Sequence, residues 1–349
     1  MAPFSPGASE VASPHPQSHP LARAARDAFI AADVGGTHVR IGLVEPTGQA
    51  AHPVRVLEYR KYVCADYPGL ADIIEDFLAA LPGTRVDAGA IASAGYALDD
   101  GTVITANLPW RISLEEIRTR LGFSTFRLVN DFEAVAHAAA QVDGSAVLRL
   151  TGPESAQPGP MLIVGPGTGL GAAVRIPTAR GPVVLATEAG QAALTTGTEH
   201  EMALLRELQR GRSHVPIEHA LSGPGLMNLY HAVCALHGRA PVHVAPGEVT
   251  AAAMHGDDAL ARESLDAFCG LLGSTVGDMA LLYGVQGGIY LAGGILPQIR
   301  DYLMQSDFVT RFLNKGPMRE ALERIPVRLV EHGQLGVIGA ANWYLGQHD

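Results

Sequence analysis

The sequence predicts an α/β protein made of two related halves with a cleft between them. Three observations carry this expectation. A strand, turn, strand unit around Gly35, Gly36 and Thr37 recurs around Gly165, Gly167, Thr168 and Gly169, about 130 residues later. Each copy opens a segment of mixed strands and helices, the pattern of a duplicated α/β unit. At 349 residues and 47% hydrophobic composition, the chain can form two domains, each with its own core.

The first 28 residues, rich in Pro, Ser and Ala, read as a flexible tail. They lack the apolar stretch that export requires and are too short for a helix-turn-helix domain. From Phe29, "FIAADVGGTHVRIGLVEPTG" runs as an apolar strand (with Ala32, Asp33 and Val34), a glycine turn, and a second strand with Val39, Ile41 and Leu43 alternating. No helix follows the glycines, which excludes the dinucleotide fingerprint and the Walker loop, since both need a helix N-terminus there. "MLIVGPGTGLGAAVRI" repeats the device. Singly, each turn reads as a tight hairpin; as a pair in matching contexts they read as phosphate-facing turns, with backbone N–H groups and a threonine hydroxyl as donors.

In "GTVITANLPWRISLEEI", Asn107 follows a strand-like run, and Ser113 caps a helix with Glu116 at the third position. Asn107 reads either as a turn amide or as an amide that binds hydroxyls, being both donor and acceptor. In "FRLVNDFEAVAHAAAQV" an apolar strand meets a helix whose Phe132, Val135, Ala136 and Ala139 fall at helical spacing. Asn130 and Asp131 sit at that junction. They read as an N-cap pair, or as a carboxylate that the helix dipole keeps ionised so that it can take a proton from a substrate hydroxyl.

"ATEAGQAAL" sets Glu188 and Gln191 in an apolar run, and Glu218 precedes "ALSGPGLMNLYHAV" as a surface or first-turn carboxylate. There Ser222 caps a helix that Pro224 opens, with Leu226, Leu229, Tyr230 and Val233 on one face. In "GGIYLAGGILPQI", Ile289–Leu291 is a short buried strand, Gly293 and Gly294 form a turn, and Pro297 starts a helix. Both sites read as helix starts or as glycine surfaces for a nucleotide base.

A formal net charge of −10 argues against nucleic-acid and anionic-membrane partners, which need clustered Lys and Arg. No run of roughly 18 apolar residues suggests a membrane span. Three widely separated cysteines, Cys64, Cys234 and Cys269, read as buried free thiols of a cytoplasmic protein.

The ordered set "ADVGGTHVRIGLV", "ITANLPW", "LVNDFEAVAHA", "LIVGPGTGLGAAV", "TEAGQAAL", "EHALSGPGLMNLYHAV" and "IYLAGGILP" resembles the bacterial glucokinase family from Phe29 to the C-terminus. The resemblance implies a duplicated ribonuclease H-like fold of the actin and hexokinase type. It implies a small domain of residues 29–141 plus 332–349 and a large domain of residues 142–331. It implies transfer of a phosphoryl group from ATP, with Mg2+ on the nucleotide, to the 6-hydroxyl of glucose or a related hexose, and it admits a homodimer.

By the same resemblance, Ala32–Thr37 and Gly165–Gly169 are the phosphate loops and Asp131 is the general base. Asn107, Asn130, Asp131, Glu188 and Glu218 hold the sugar, Gly293 and Gly294 serve the nucleotide, and Asp33 reaches magnesium through water. Two positions depart from the family pattern. Gln191 stands where the family has a sugar-binding histidine and reads as a sugar ligand in its place, and Tyr96 stands where the family has proline. The first motivates an alternative, a weakly active or non-catalytic regulatory protein that binds sugar or nucleotide. A repressor is disfavoured for want of a DNA-binding segment.

Overall fold

The turns at Gly35–Thr37 and Gly167–Gly169 each close a β-hairpin, and each hairpin seeds a sheet. The computed structural model describes residues 28–347 except residues 50–51, 82, 99–100, 106–107, 140–141 and 143–145. Asn107 and residues 1–27 of the tail lie outside the described residues, as does the side chain of Tyr96.

The first sheet is built from β1 (Phe29–Val34), β2 (His38–Gln49), β3 (His52–Val63), β4 (Ala88–Ser93) and a fifth strand, Thr125–Val129. A small three-stranded sheet lies between them in the chain: β5 (Tyr96–Ala97), β6 (Thr102–Ile104) and β7 (Ile112–Ser113), which makes Thr125–Val129 β8. The first sheet runs β3-β2-β1-β4-β8, with β1 and β2 antiparallel and β1, β4 and β8 parallel.

The second sheet contains β9 (Val147–Thr151), β10 (Met161–Pro166), β11 (Leu170–Ile176), β12 (Val183–Thr187), β13 (Ile289–Leu291) and β14 (Val327–Val330). Its order is β12-β11-β10-β13-β14-β9. Removing β9 leaves the order and strand directions of the first sheet, so the duplication read from the two turns is present in the topology.

Helices α1 (Leu70–Ala79) and α2 (Leu114–Leu121) cover one face of the first sheet through Ile73, Ile74, Phe77 and Ile117. Ser113 caps α2 by accepting from Glu116 N at 3.1 Å, as the capping pattern predicts. The larger core lies on the second sheet beneath α4 (Glu199–Leu208), α5 (Gly223–Leu236), α6 (Pro246–His255) and α7 (Ala259–Leu282). By length and hydropathy α7 could cross a membrane, but 78% of its apolar window is buried, so its composition reflects a core position. Pro297 opens a 3₁₀ turn (Leu296–Ile299); the α-helix begins only at Arg300.

A helix that touches both sheets carries the junction residue. α3, Asp131–Ala139, leads out of β8 and packs against β4 on one side and against β10, β11 and β12 on the other. Its Ala134 joins Val337, Ala340 and Ala341 of the C-terminal helix Leu335–Leu345, while Ala136 and Ala139 pack on Ile163 and Ala173 of the second sheet. Its first residue therefore sits where the two halves meet.

Candidate active site

β8 ends at Val129, and the next residue caps α3. Asn130 Oδ1 accepts from Phe132 N and Glu133 N, both at 3.0 Å. This leaves the Asn130 NH2 group as a donor outside the cap. Asp131 is the first helical residue, and its Oδ1 accepts from Phe132 N at 2.9 Å.

Burial pushes the Asp131 carboxyl up to about 6, the charges of Asp33 and Glu188 push the same way, and the Phe132 N–H opposes them. The expectation that the helix start keeps this group ionised is thus corrected in degree. Desolvation outweighs the helix N-terminus, and the result is a carboxylate mostly ionised at pH 7 but more basic than usual. A proton acceptor works best with a pKa near the operating pH.

Asp33 ends β1 and is ion-paired with Arg40 of β2 at 3.1 Å. Its carboxyl is also raised by burial, against the opposing Arg40 charge. Ala32 and Val34 turn their side chains into the first core, so from this strand only their backbone and Asp33 are presented to a ligand. The turn is fixed from below: Gly35 N donates to His38 O at 3.0 Å, Cys64 Sγ donates to Gly35 O at 3.3 Å, and Cys64 N donates to Thr37 O at 2.9 Å. Thr37 is exposed, with Gly36 partly so beside it.

In the second turn Gly167 N donates to Gly169 O, and Gly223 N at the start of α5 donates to Gly167 O, each at 2.8 Å. The glycines here divide by purpose. A Cβ on Gly165 would lie 2.0 Å from Ala292 O, and one on Gly293, whose φ is 108°, would lie 2.4 Å from Pro166 O. These two let neighbouring backbones touch. Gly167 and Gly294 face open space instead, and Thr168 is exposed between Gly167 and Gly169.

Gly223 lies with Ile295 and Pro246 each 3.9 Å from where its Cβ would be. The second, third and fourth glycine motifs thus converge, and the flat Gly223 surface with two apolar flanks suits an aromatic base. Pro246, whose only sequence signal is that of a helix-opening proline, supplies one of these flanks.

Glu188 follows β12 and is exposed; the 3₁₀ turn Ala189–Gln191 comes after it. Gln191 Nε2 donates to Glu218 Oε1 at 2.7 Å, and Glu218 Oε2 accepts from Leu170 N at 3.3 Å. Glu218 is thereby half-buried and doubly engaged rather than a plain surface carboxylate. Ser222 caps α5 as its sequence predicts, accepting from Gly225 N at 2.9 Å, and its hydroxyl donates to Glu218 O at 2.7 Å. His214 and Leu170, both unmarked in the sequence, complete this cluster; His214 Nε2 donates to the Gln191 carbonyl at 2.9 Å.

Comparison with known proteins bears on the family and the fold. A family model described as Glucokinase matches residues 30–347. A glucokinase-like protein of Xylella fastidiosa (strain 9a5c) is 56% identical over 321 residues, covering 91% of this chain and 95% of its own. A glucokinase of Saccharophagus degradans is 35% identical over 315 residues, covering 90% and 97%. The crystal structure of a glucokinase from an Antarctic psychrotroph superposes with a TM-score of 0.81 at 33% identity, covering 92% of this chain and 99% of that one. With its two sheets of one topology, the chain belongs to the glucokinase family.

Proposed function

We propose that this sugar kinase transfers the γ-phosphoryl group of ATP to the 6-hydroxyl of glucose or a closely related hexose, with Asp131 as general base. The observation that carries the reading is Asp131 itself: a carboxyl raised to about 6, at a helix start touching both sheets, with Asp33 and Glu188 near enough to shift it.

The sugar lies against Asn130, Glu188 and Glu218, with Asn107 as a further amide ligand. Asp131 Oδ accepts the hydroxyl proton as the sugar oxygen forms its bond to phosphorus. The bond to the β-phosphate oxygen breaks, and its electron pair leaves with ADP. Positioning and charge stabilisation supply most of the rate.

The nucleotide phosphates lie along Gly35–Thr37 and Gly167–Gly169, and the base lies on Gly223 between Ile295 and Pro246, beside Gly293 and Gly294. Mg2+ would be carried on the nucleotide, where it would neutralise phosphate charge, and the Asp33 carboxylate would reach it through water. Residues 29–141 with 332–349, and residues 142–331, move as two lobes that close over the ligands and exclude water.

ADP formation from ATP and Mg2+ over glucose, mannose, fructose, glucosamine and N-acetylated hexosamines tests this, with Asp131→Asn as blank. Turnover above the blank on glucose is expected. Silence across the panel, or equal rates in the blank, would replace the reading with that of a sugar- or nucleotide-binding regulator.

A further inference from the structure

Glu218 spends its two carboxylate oxygens on two different elements. Oε1 accepts from Gln191 on the sugar side, and Oε2 accepts from Leu170 N, the first residue of β11 after the second glycine turn. The fit is tight, since a Cβ on Gly169 would meet Oε2 at 2.7 Å. The Glu218 backbone is held as well, through Ser222, and the adjoining Gly223 N–H binds the turn at Gly167. Gln191 is braced from behind: its N–H donates to Glu188 O at 2.9 Å and its carbonyl accepts from His214.

We propose that Gln191 is a positioning residue rather than a sugar ligand: it orients Glu218, and through Glu218 it couples occupancy of the sugar pocket to the shape of the second glycine turn. The inference rests on the kinase reading for the identity of the two ligands. A charge-assisted bond from a neutral amide holds the carboxylate at one rotamer while leaving lone pairs for a sugar hydroxyl. Without that bond the carboxylate is free to turn, and Leu170 N–H loses its acceptor. Any such coupling is reciprocal, so nucleotide at the turn tightens sugar binding by the factor that sugar tightens nucleotide binding.

The test compares the wild-type protein with Gln191→Leu and Gln191→Glu by two readouts. The first is amide exchange at Leu170 without ligands. The second is calorimetric binding of glucose with and without ADP. Gln191→Leu should speed Leu170 exchange, weaken glucose about tenfold and bring the glucose–ADP coupling factor towards one. Gln191→Glu should be worse at pH 8, where two carboxylates repel, and should recover near pH 5, where a shared proton restores the bond.

Each variant is read against the wild-type protein at the same pH, because Asp131, near 6, changes charge over the same range in both. Weaker glucose with Leu170 exchange unchanged would make Gln191 a direct ligand and overturn the proposal, as would pH-independent, wild-type binding by Gln191→Glu. A wild-type protein that binds no hexose would sink the kinase reading instead, while the exchange data would still decide whether Gln191 holds Glu218.

Discussion

Gly171 and Phe132 share one space: a Cβ on Gly171 would lie 1.9 Å from Phe132 Cδ2. β11 thus locks the ring of the residue that follows Asp131, fixing the start of α3 against the second sheet. Gly171→Ala forces the ring away. Overpacking of this kind costs about 1–3 kcal/mol, so a fall of several degrees in melting temperature is expected. Because the displaced ring neighbours Asp131, kcat should fall more than KM rises, and Phe132→Leu in the same chain should restore part of both losses. Unchanged kcat in a folded Gly171→Ala protein would show that this contact does not position Asp131.

The raised carboxyl of Asp131 makes two linked predictions about pH. The rate should fall below about pH 6 as the base protonates, unless bound substrate moves the value. For stability, the folded value lies above the ordinary carboxylate value of 3.8, so the folded state holds the proton more tightly between about pH 4 and 6. That contribution is complete below the unfolded value and is lost as pH rises through the folded one. Asp131→Asn should therefore be more stable than wild type at pH 8, by on the order of 2 kcal/mol or less, and the difference should vanish near pH 4. Melting curves of the two proteins across that range check it; parallel curves would remove the desolvation cost assigned to the Asp131 carboxylate.

What was legible in the sequence is what depends on near neighbours along the chain. The two hairpins, the strand–helix junction at Asn130 and Asp131, and the caps at Ser113 and Ser222 are all set within a few residues, and the structure contains each of them. The Gln191–Glu218 bond spans 27 residues, and Gly171 meets a ring that belongs to another element. No local pattern encodes either. The same limit explains why the raised proton affinity of Asp131 is not legible: the helix start is visible in sequence, while the burial that outweighs it belongs to packing. Gly165 and Gly293 look like ligand-facing glycines in sequence, and only the approach of Ala292 O and Pro166 O shows that backbone contact needs them.

The three cysteines should be silent to thiol reagents in the native protein. All are free and buried, and burial raises each thiol, that of Cys269 to about 12, so little reactive thiolate exists at neutral pH. Dithionitrobenzoate should release about three equivalents only after denaturation. Fast native labelling of Cys64 would mean that the first glycine turn, which Cys64 underpins, opens readily.

Arg311 on Phe308–Leu313 carries the last prediction. Its Nη2 pairs with Glu201 Oε2 at 2.8 Å, the two side chains being 12% and 5% exposed, and the guanidinium also donates to Ser274 Oγ. Glu201 accepts from Gly197 N at 2.7 Å, so the pair ties the chain after Gln191 to α4 and α7. Arg311→Met leaves a buried carboxylate without its counter-charge and should cost about 3–5 kcal/mol, read from denaturant midpoints. Replacing both partners, Glu201→Met with Arg311→Met, removes the charge along with its partner and should recover most of the loss. If the double variant is no better than the single one, the pair is holding the 193–198 segment through its hydrogen bonds to Gly197 and Ser274 rather than balancing a buried charge.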